Sequence, residues 1–307
     1  MLPRDKLVLE FWDRKADLRI KNKEYAKFVN DLIKILLKQD INKGDITSNS
    51  LIKNKGITAF IVAKEEGTVA GLEEFSLINK DLKLKFFKKD GDKIKAGDIL
   101  IEIKGNAKKI LERERVSLNL LQRMSGISTL VSELNKKLNN KIKLAATRKT
   151  LWGLLDKKAV SIGGGLTHRL NLNDGIIIKD NHLKILNGNF ESIINSVKDK
   201  SKYIEIEVEV KKQALAAAKT IAKIMENKKA KSNRIFAVMF DKIPPNKIKE
   251  IINDLKDEKL HDNILFEASG NINENNLTDY TGCEVDIISM GSITNSAKIL
   301  NMSLEIK

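Results

Sequence analysis

Apolar residues recur along this chain with two different periods, and the rhythm changes near residue 143. Residues 24–38 place Phe28, Val29, Leu32, Ile33, Ile35, Leu36 and Leu37 at helical spacing, and Gly44 stops the region. Residues 57–62 alternate loosely as a strand, 66–72 lead into a helix, and 82–87 and 99–103 read as further strands. Between the last two, Asp90-Gly91 carries a hairpin signal. Residues 107–121 predict a helix with Ala107, Ile110, Leu111, Leu118, Leu120 and Leu121 apolar and residues 112–115 charged. Residues 1–22 carry no comparable pattern and read as a poorly anchored leader or a short first helix, without chemistry. From residue 143 onward, strand-like runs recur at 144–147, 175–178, 203–210, 235–240, 264–268 and 285–289, with helical patterns at 213–225 and 245–255. Strands alternating with helices predict a parallel sheet, closed or nearly closed as an α/β barrel. The strands number six, short of the eight of a full (β/α)₈ barrel.

Composition narrows the class without deciding it. At 307 residues the chain accommodates two domains or one large barrel. Its 42% hydrophobic and 32% charged content is that of a soluble globular protein. It has no apolar run of the roughly 18 residues a membrane span needs. Residues 1–10 mix charged and apolar types and do not resemble a signal peptide. The single Cys283 excludes an intramolecular disulfide and fits a reducing cytoplasm. A net charge of +15 admits a nucleic-acid partner or an acidic substrate. The basic residues are spread along the whole chain, with no arginine-rich tract, aromatic–basic alternation or zinc spacing, so the expected partners exclude nucleic acid and membrane.

The densest candidate chemistry lies at 146–182, ATRKTLWGLLDKKAVSIGGGLTHRLNLNDGIIIKDNH. One strand runs out into Thr147-Arg148-Lys149-Thr150 and a second ends on Lys179-Asp180-Asn181-His182; Gly163-Gly164-Gly165 and His168-Arg169 stand between them. Arginine forks bind carboxylate or phosphate bidentately, lysines supply point charges, and glycines let backbone N–H groups approach an anion. Each piece alone has a plain reading: a loop, a satisfied histidine, a solvated rim. Together they describe a receptacle for a ligand with several negative charges. Polar residues at C-terminal strand ends extend the set: Lys179, Glu207 and Glu209, Asp241, Glu267 and Ser269, and Ser289. In residues 203–210, Glu205, Glu207 and Glu209 share one face; inside a barrel that face needs cations or metal nearby.

T-R-K-T at 147–150, A-V-x-x-G-G-G-x-x-H-R at 159–169 and I-K-D-N-H at 178–182 resemble the signature run of the carboxylating quinolinate phosphoribosyltransferases. The resemblance extends from Gly44 to the C-terminus, through Gly44-Asp45-Ile46-Thr47, Glu114-Arg115-Val116-Ser117-Leu118-Asn119 and Ser125-Gly126-Ile127-Ser128-Thr129. It implies an α/β fold: an N-terminal α/β sandwich domain over 1–126, to which 295–307 return, and a six-stranded open α/β barrel over 127–294. It implies a reaction of quinolinate with phosphoribosyl pyrophosphate in NAD synthesis, with Mg²⁺ as cofactor. The implied assembly is a homodimer or higher, with Arg115 reaching the partner subunit's site. Arg148, Lys149, His168, Arg169 and Lys179 would clamp quinolinate, with Lys149 also catalytic. Glu207 and Asp241 would be the catalytic and metal-binding carboxylates. Ser269, Gly270, Asn271, Ser289 and Gly291 would receive phosphate through their backbone.

The sequence departs from the family pattern in four places. Leu151-Trp152-Gly153-Leu154-Leu155 replaces the usual P-G-L/F-R and omits one customary arginine. Lys242, not Asn, follows Asp241; Ser269-Gly270-Asn271 replaces S-G-G; and Asn295 takes the place of a histidine in the last motif. A related phosphoribosyltransferase acting on another ring acid is the rival these departures raise.

Overall fold

The computed structural model describes residues 3–139, 142–187, 189–226 and 234–307. Two compact units divide them. One comprises 15–133, 150–165 and 293–307; the other comprises the N-terminal residues to 14, with 134–149 and 166–292. The chain therefore crosses between the units near residues 14, 133, 149, 165 and 292, where the resemblance implies a division at 126 with 295–307 returning to the first domain. The exchange reflects tertiary pairing, which local patterning does not encode.

The first unit is built on β1 (Gly56–Ala63), β2 (Gly67–Thr68), β3 (Lys83–Phe86), β4 (Lys93–Ile94) and β5 (Ile99–Asn106). The predicted strands on either side of Asp90-Gly91, β3 and β5, pair antiparallel, and the short β4 between them in sequence pairs with β2. Helix Lys23–Ile41 lies on the predicted stretch, with Asn22 capping it and Tyr25, Val29 and Ile33 buried. Asp45 caps the helix Ile46–Leu51 by accepting the Ser48 N–H at 3.0 Å.

This unit also buries an ionic cluster. Lys158 bonds Glu73 and Glu74, each at 2.5 Å, and the Tyr25 hydroxyl donates to Glu74 at 2.8 Å. Nearby, Asp90 accepts the Leu72 N–H at 3.0 Å. Burial, which outweighs that bond and is reinforced by Glu74, pushes the Asp90 carboxyl up to about 6. The folded protein therefore holds a proton that the unfolded chain has released, so stability falls as pH rises from the unfolded Asp value, about 4, through 6. Asp90→Asn should flatten that slope and raise stability by about 2 kcal/mol at pH 7.5, read from urea midpoints across the range. An unchanged slope would dismiss the buried proton.

The second unit carries β6 (Lys143–Ala145), β7 (Ile176–Ile178), β8 (Tyr203–Val208), β9 (Ile235–Asp241), β10 (Ile264–Ser269) and β11 (Ile287–Ser289). They form one parallel sheet in the order β6-β11-β10-β9-β8-β7, as the six predicted strands require. The last strand, β12 (Met302–Ile306), returns to the first unit, giving the sheet order β12-β1-β5-β3 there.

Register decides which barrel residues face inward. Ile177, Glu205, Ala237 and Leu265 stand opposite one another, followed one layer up by Glu207, Met239, Glu267 and Ile287. Ile235, Ala237, Leu265 and Ile287 pack in one cluster with Val8, Phe11 and Trp12 of the helix Arg4–Trp12. The N-terminal stretch is thus no loose leader. Its apolar side chains fill the barrel, and Arg4 ties it down by a bidentate pair with Asp286. Among the described residues, no helix is long and apolar enough to cross a membrane.

Candidate active site

Most of the predicted site residues of the barrel unit sit at or just beyond the C-terminal strand ends. Arg148 and Lys149 follow β6 and are exposed; the Lys149 N–H donates to Thr147 Oγ1 at 3.0 Å. Lys179 follows β7 and forms an ion pair with Glu207 on β8. Asp241 closes β9 and pairs with Lys242 at 3.0 Å. Asp241 lies two residues beyond Met239, the register partner of Glu207, so the two carboxylates share one face of neighbouring strands. Of the three glutamates expected to share the inward face, Glu205 and Glu207 are buried, and Glu209 lies past the strand end, exposed.

The turns that follow β9 and β10 interlock. Lys242, Gly270 and Asn271 all take left-handed φ values of 58°, 82° and 56°. A Cβ at Gly270 would come within 2.5 Å of Asp241 Oδ1 and 2.7 Å of the Lys242 nitrogen, so only glycine permits this approach. Asn271, in place of glycine, keeps the turn because Asn tolerates the left-handed region. Gly291, after β11, lies beside the Lys149 side chain, where a Cβ would meet Lys149 Cδ at 2.8 Å.

The triple glycine serves a different purpose from the expected anion cradle. The N–H groups of Gly163, Gly164 and Gly165 bond the carbonyls of Ala159, Ser161 and Val160, ending the helix Leu154–Ile162. At Gly163 a Cβ would approach the Ser128 carbonyl oxygen to 2.5 Å. Its role is helix termination and close packing.

His168 is buried and left-handed, at φ 54°. Its Nδ1 accepts the Arg169 backbone N–H at 2.8 Å, and its Nε2 lies 3.0 Å from Glu267 and 3.5 Å from Glu205. Glu267 also accepts the Ser289 hydroxyl at 2.5 Å, and Ser289 lies 2.9 Å from the Ser269 hydroxyl. Burial first, and Glu267 second, push Glu205 well above the usual carboxylate range. Burial also pushes on Glu267, but His168, Glu205 and Ser289 outweigh it and hold that carboxyl below its ordinary value. The loop itself is anchored from the N-terminal segment. Trp12 accepts the His168 N–H at 2.7 Å, and the Arg14 N–H donates to Thr167 at 2.8 Å. Arg14 also pairs with Asp174 at 2.8 Å.

Arg169 is half-buried; one Nη donates to the Gly175 carbonyl at 2.8 Å, and Nε is buried without a partner among the described residues. Burial lowers the pKa of its guanidinium, and the neighbouring Arg148 lowers it further. Like charges repel, and a bound anion relieves that repulsion.

Sequence reasoning named Glu267 among the polar strand-end residues without giving it a role, and did not assign Trp12, Arg14 or Glu205 to the site. For Glu205 the inward-facing alternation was a usable signal; for Trp12 and Arg14 there was none. In the first unit, Arg115 is exposed and lines a small cleft of about 190 Å³ with Leu36, Gln39, Asp40, Val116, Asn119 and Trp152.

Residues 45–125 match the model of the quinolinate phosphoribosyl transferase N-terminal domain, and 127–305 that of its C-terminal domain. A probable nicotinate-nucleotide pyrophosphorylase (carboxylating) of Methanothermobacter thermautotrophicus is 38% identical over 288 residues, covering 90% of this chain and 98% of the relative. One from Bacillus subtilis is 36% identical over 280 residues, covering 87% and 90%. Among solved structures, the nicotinate-nucleotide pyrophosphorylase of Ehrlichia chaffeensis superposes with a TM-score of 0.78 at 32% identity, covering 91% of this chain and 98% of that one.

Proposed function

The chain belongs to the quinolinate phosphoribosyltransferase family, and from that premise we propose how its own side chains perform the reaction. It is a carboxylating nicotinate-nucleotide pyrophosphorylase of NAD biosynthesis, joining quinolinate to phosphoribosyl pyrophosphate to give nicotinate mononucleotide, pyrophosphate and CO₂. The observation that carries the assignment of roles is the placing of charges at the strand ends: Glu207 and Asp241 on one face of neighbouring strands, with Arg148, Lys149 and Lys179 just past the ends of β6 and β7.

Quinolinate brings two ring carboxylates. Arg148, Lys149, Arg169 and Lys179 hold them, the arginines by their forks, with His168 set behind Arg169. The ring nitrogen attacks the anomeric carbon of the ribose as the bond to pyrophosphate breaks and its electron pair leaves with the pyrophosphate. Glu207 and Asp241 face the cationic character that develops at that carbon. Lys149, beside Gly291, offers its charge to the departing phosphates. The backbone at Ser269, Gly270, Asn271, Ser289 and Gly291 receives phosphate oxygens. Alkylated, the ring nitrogen is positive. The carboxylate at ring position 2 then leaves as CO₂, its bonding pair remains on the ring carbon next to the nitrogen, and a proton takes that pair.

Glu207 and Asp241 suit a hard divalent ion, since both are carboxylates on one face. Glu207 Oε1 and Asp241 Oδ1 are the oxygens not used in their lysine pairs. Held there, Mg²⁺ would neutralise charge on the pyrophosphate. Arg115 of a second copy completes the clamp, so the working unit is a homodimer or larger, in the cytoplasm.

The test is to incubate the pure protein with quinolinate, phosphoribosyl pyrophosphate and Mg²⁺ and to measure nicotinate mononucleotide and CO₂. Equal yields of both are expected. Turnover of a different ring acid, with none of quinolinate, would overturn the substrate. Full activity as a strict monomer would overturn the role of Arg115.

A further inference from the structure

Glu267 makes no contact that the proposed reaction uses, yet it stands at the junction of two site elements. It is fully buried on β10, facing inward. One of its oxygens, Oε2, meets His168 Nε2 at 3.0 Å, and the other, Oε1, accepts the Ser289 hydroxyl. Ser289 has one hydroxyl proton and commits it to Glu267, so it accepts from Ser269, 2.9 Å away. Ser269 begins the Ser269-Gly270-Asn271 turn, and His168 begins the loop that carries Arg169. The directions of these bonds are fixed. His168 Nδ1 accepts the Arg169 N–H, so the ring proton sits on Nε2 and is donated to Glu267. Both ring nitrogens are thereby engaged within the protein, and His168 reaches a substrate only by way of Arg169.

We propose that Glu267 is a positioning residue that couples the carboxylate clamp to the phosphate turn, pinning His168–Arg169 with one oxygen and Ser289–Ser269 with the other. A carboxylate is needed because two donors converge on it from opposite sides. A glutamine has a single acceptor oxygen. It must either give up one donor or face its NH₂ to His168. In the second case the ring proton moves to Nδ1 and the Arg169 N–H bond is lost. The adjacent Glu205 does not share this work: both of its oxygens are buried without a hydrogen-bond partner among the described residues, and its Oε2 lies 3.5 Å from His168 Nε2, against 3.0 Å for Glu267.

The proposal rests on the phosphoribosyltransferase reading for its kinetic arm but not for its spectroscopic one. The chain has three histidines, so ¹⁵N NMR of the full-length protein can assign the His168 ring. The wild type should show the Nε2–H tautomer, and Glu267→Gln should shift it toward Nδ1–H. In steady state, Ser289→Ala should raise KM for phosphoribosyl pyrophosphate about tenfold with little change for quinolinate. His168→Phe should do the reverse, and Glu267→Gln should raise both. A purely structural role would lower the active fraction and leave both KM values in place. That result, or an Nδ1–H tautomer in the wild type, overturns the proposal. If Glu267→Gln does not fold, the opposed KM shifts of Ser289→Ala and His168→Phe still decide it. Absence of quinolinate turnover in a wild type with the expected tautomer would instead count against the reaction, leaving the Glu267 linkage standing.

Discussion

Arg148→Ala should lower kcat/KM for quinolinate about a hundredfold while leaving the urea midpoint almost unchanged. Arg148 is exposed just past β6, so the fold gains little from it, and surface substitutions of this kind change stability by about 0.5 kcal/mol or less. Its loss would be felt in the complex. A guanidinium that forks onto a carboxylate makes two charge-assisted bonds, and removing it from a closed site costs about 2–5 kcal/mol. The free protein supplies a second reason. Arg148 stands near enough to Arg169 to lower that guanidinium's pKa, a repulsion the apo site bears and a dianionic ligand removes. Arg148→Lys restores the charge without the fork and should recover only part of the loss. Lys149→Ala should act differently, falling more on kcat, because that side chain lies beside Gly291 at the proposed phosphate end. Quinolinate affinity indifferent to Arg148→Ala would remove this residue from the clamp.

The division between what the sequence discloses and what it conceals follows the range of the interactions. The six barrel strands are legible because each is a short apolar run punctuated by polar residues at its end. The helix Lys23–Ile41 is legible because one face repeats. The cations at 148, 149, 169 and 179 can be found because strand ends gather them. Register is harder to see. That Glu267 stands level with Glu207 and Met239, and therefore beneath His168, depends on how β8, β9 and β10 align, and no local pattern specifies it. The helix Arg4–Trp12 is harder still. Its partners Ala145, Leu166, Ile235 and Leu265 are far away in sequence, so the stretch reads only as a poorly anchored leader or a short first helix. The glycines at 163–165 fail in the opposite sense: the same residue type serves anion loops and helix ends, and only the hydrogen bonds distinguish them.

Asp156→Asn should destabilise the protein by about 3–5 kcal/mol, the largest stability loss expected of any single substitution considered. The Asp156 carboxylate is fully buried and pairs bidentately with Arg123, at 2.8 and 2.7 Å. The same carboxylate accepts the N–H groups of Leu151 and Trp152 at 2.8 and 3.0 Å. It thereby fixes the segment in which this chain departs from its family. Four donors converge on two oxygens, and an amide nitrogen in place of one oxygen would point a donor at a donor. Arg123 would keep its charge, with a side chain only 11% exposed, and lose its counter-ion. Pairing Asp156→Leu with Arg123→Met separates the two contributions. The double variant removes the unpaired charge but still leaves the two backbone N–H groups unbonded, so it should recover part of the loss and not all of it. Full recovery would mean that the ion pair alone matters and that the Leu151–Trp152 turn holds its shape without it. No recovery would mean that Asp156 serves the turn, and that the segment lacking the customary arginine depends on this buried carboxylate for its conformation.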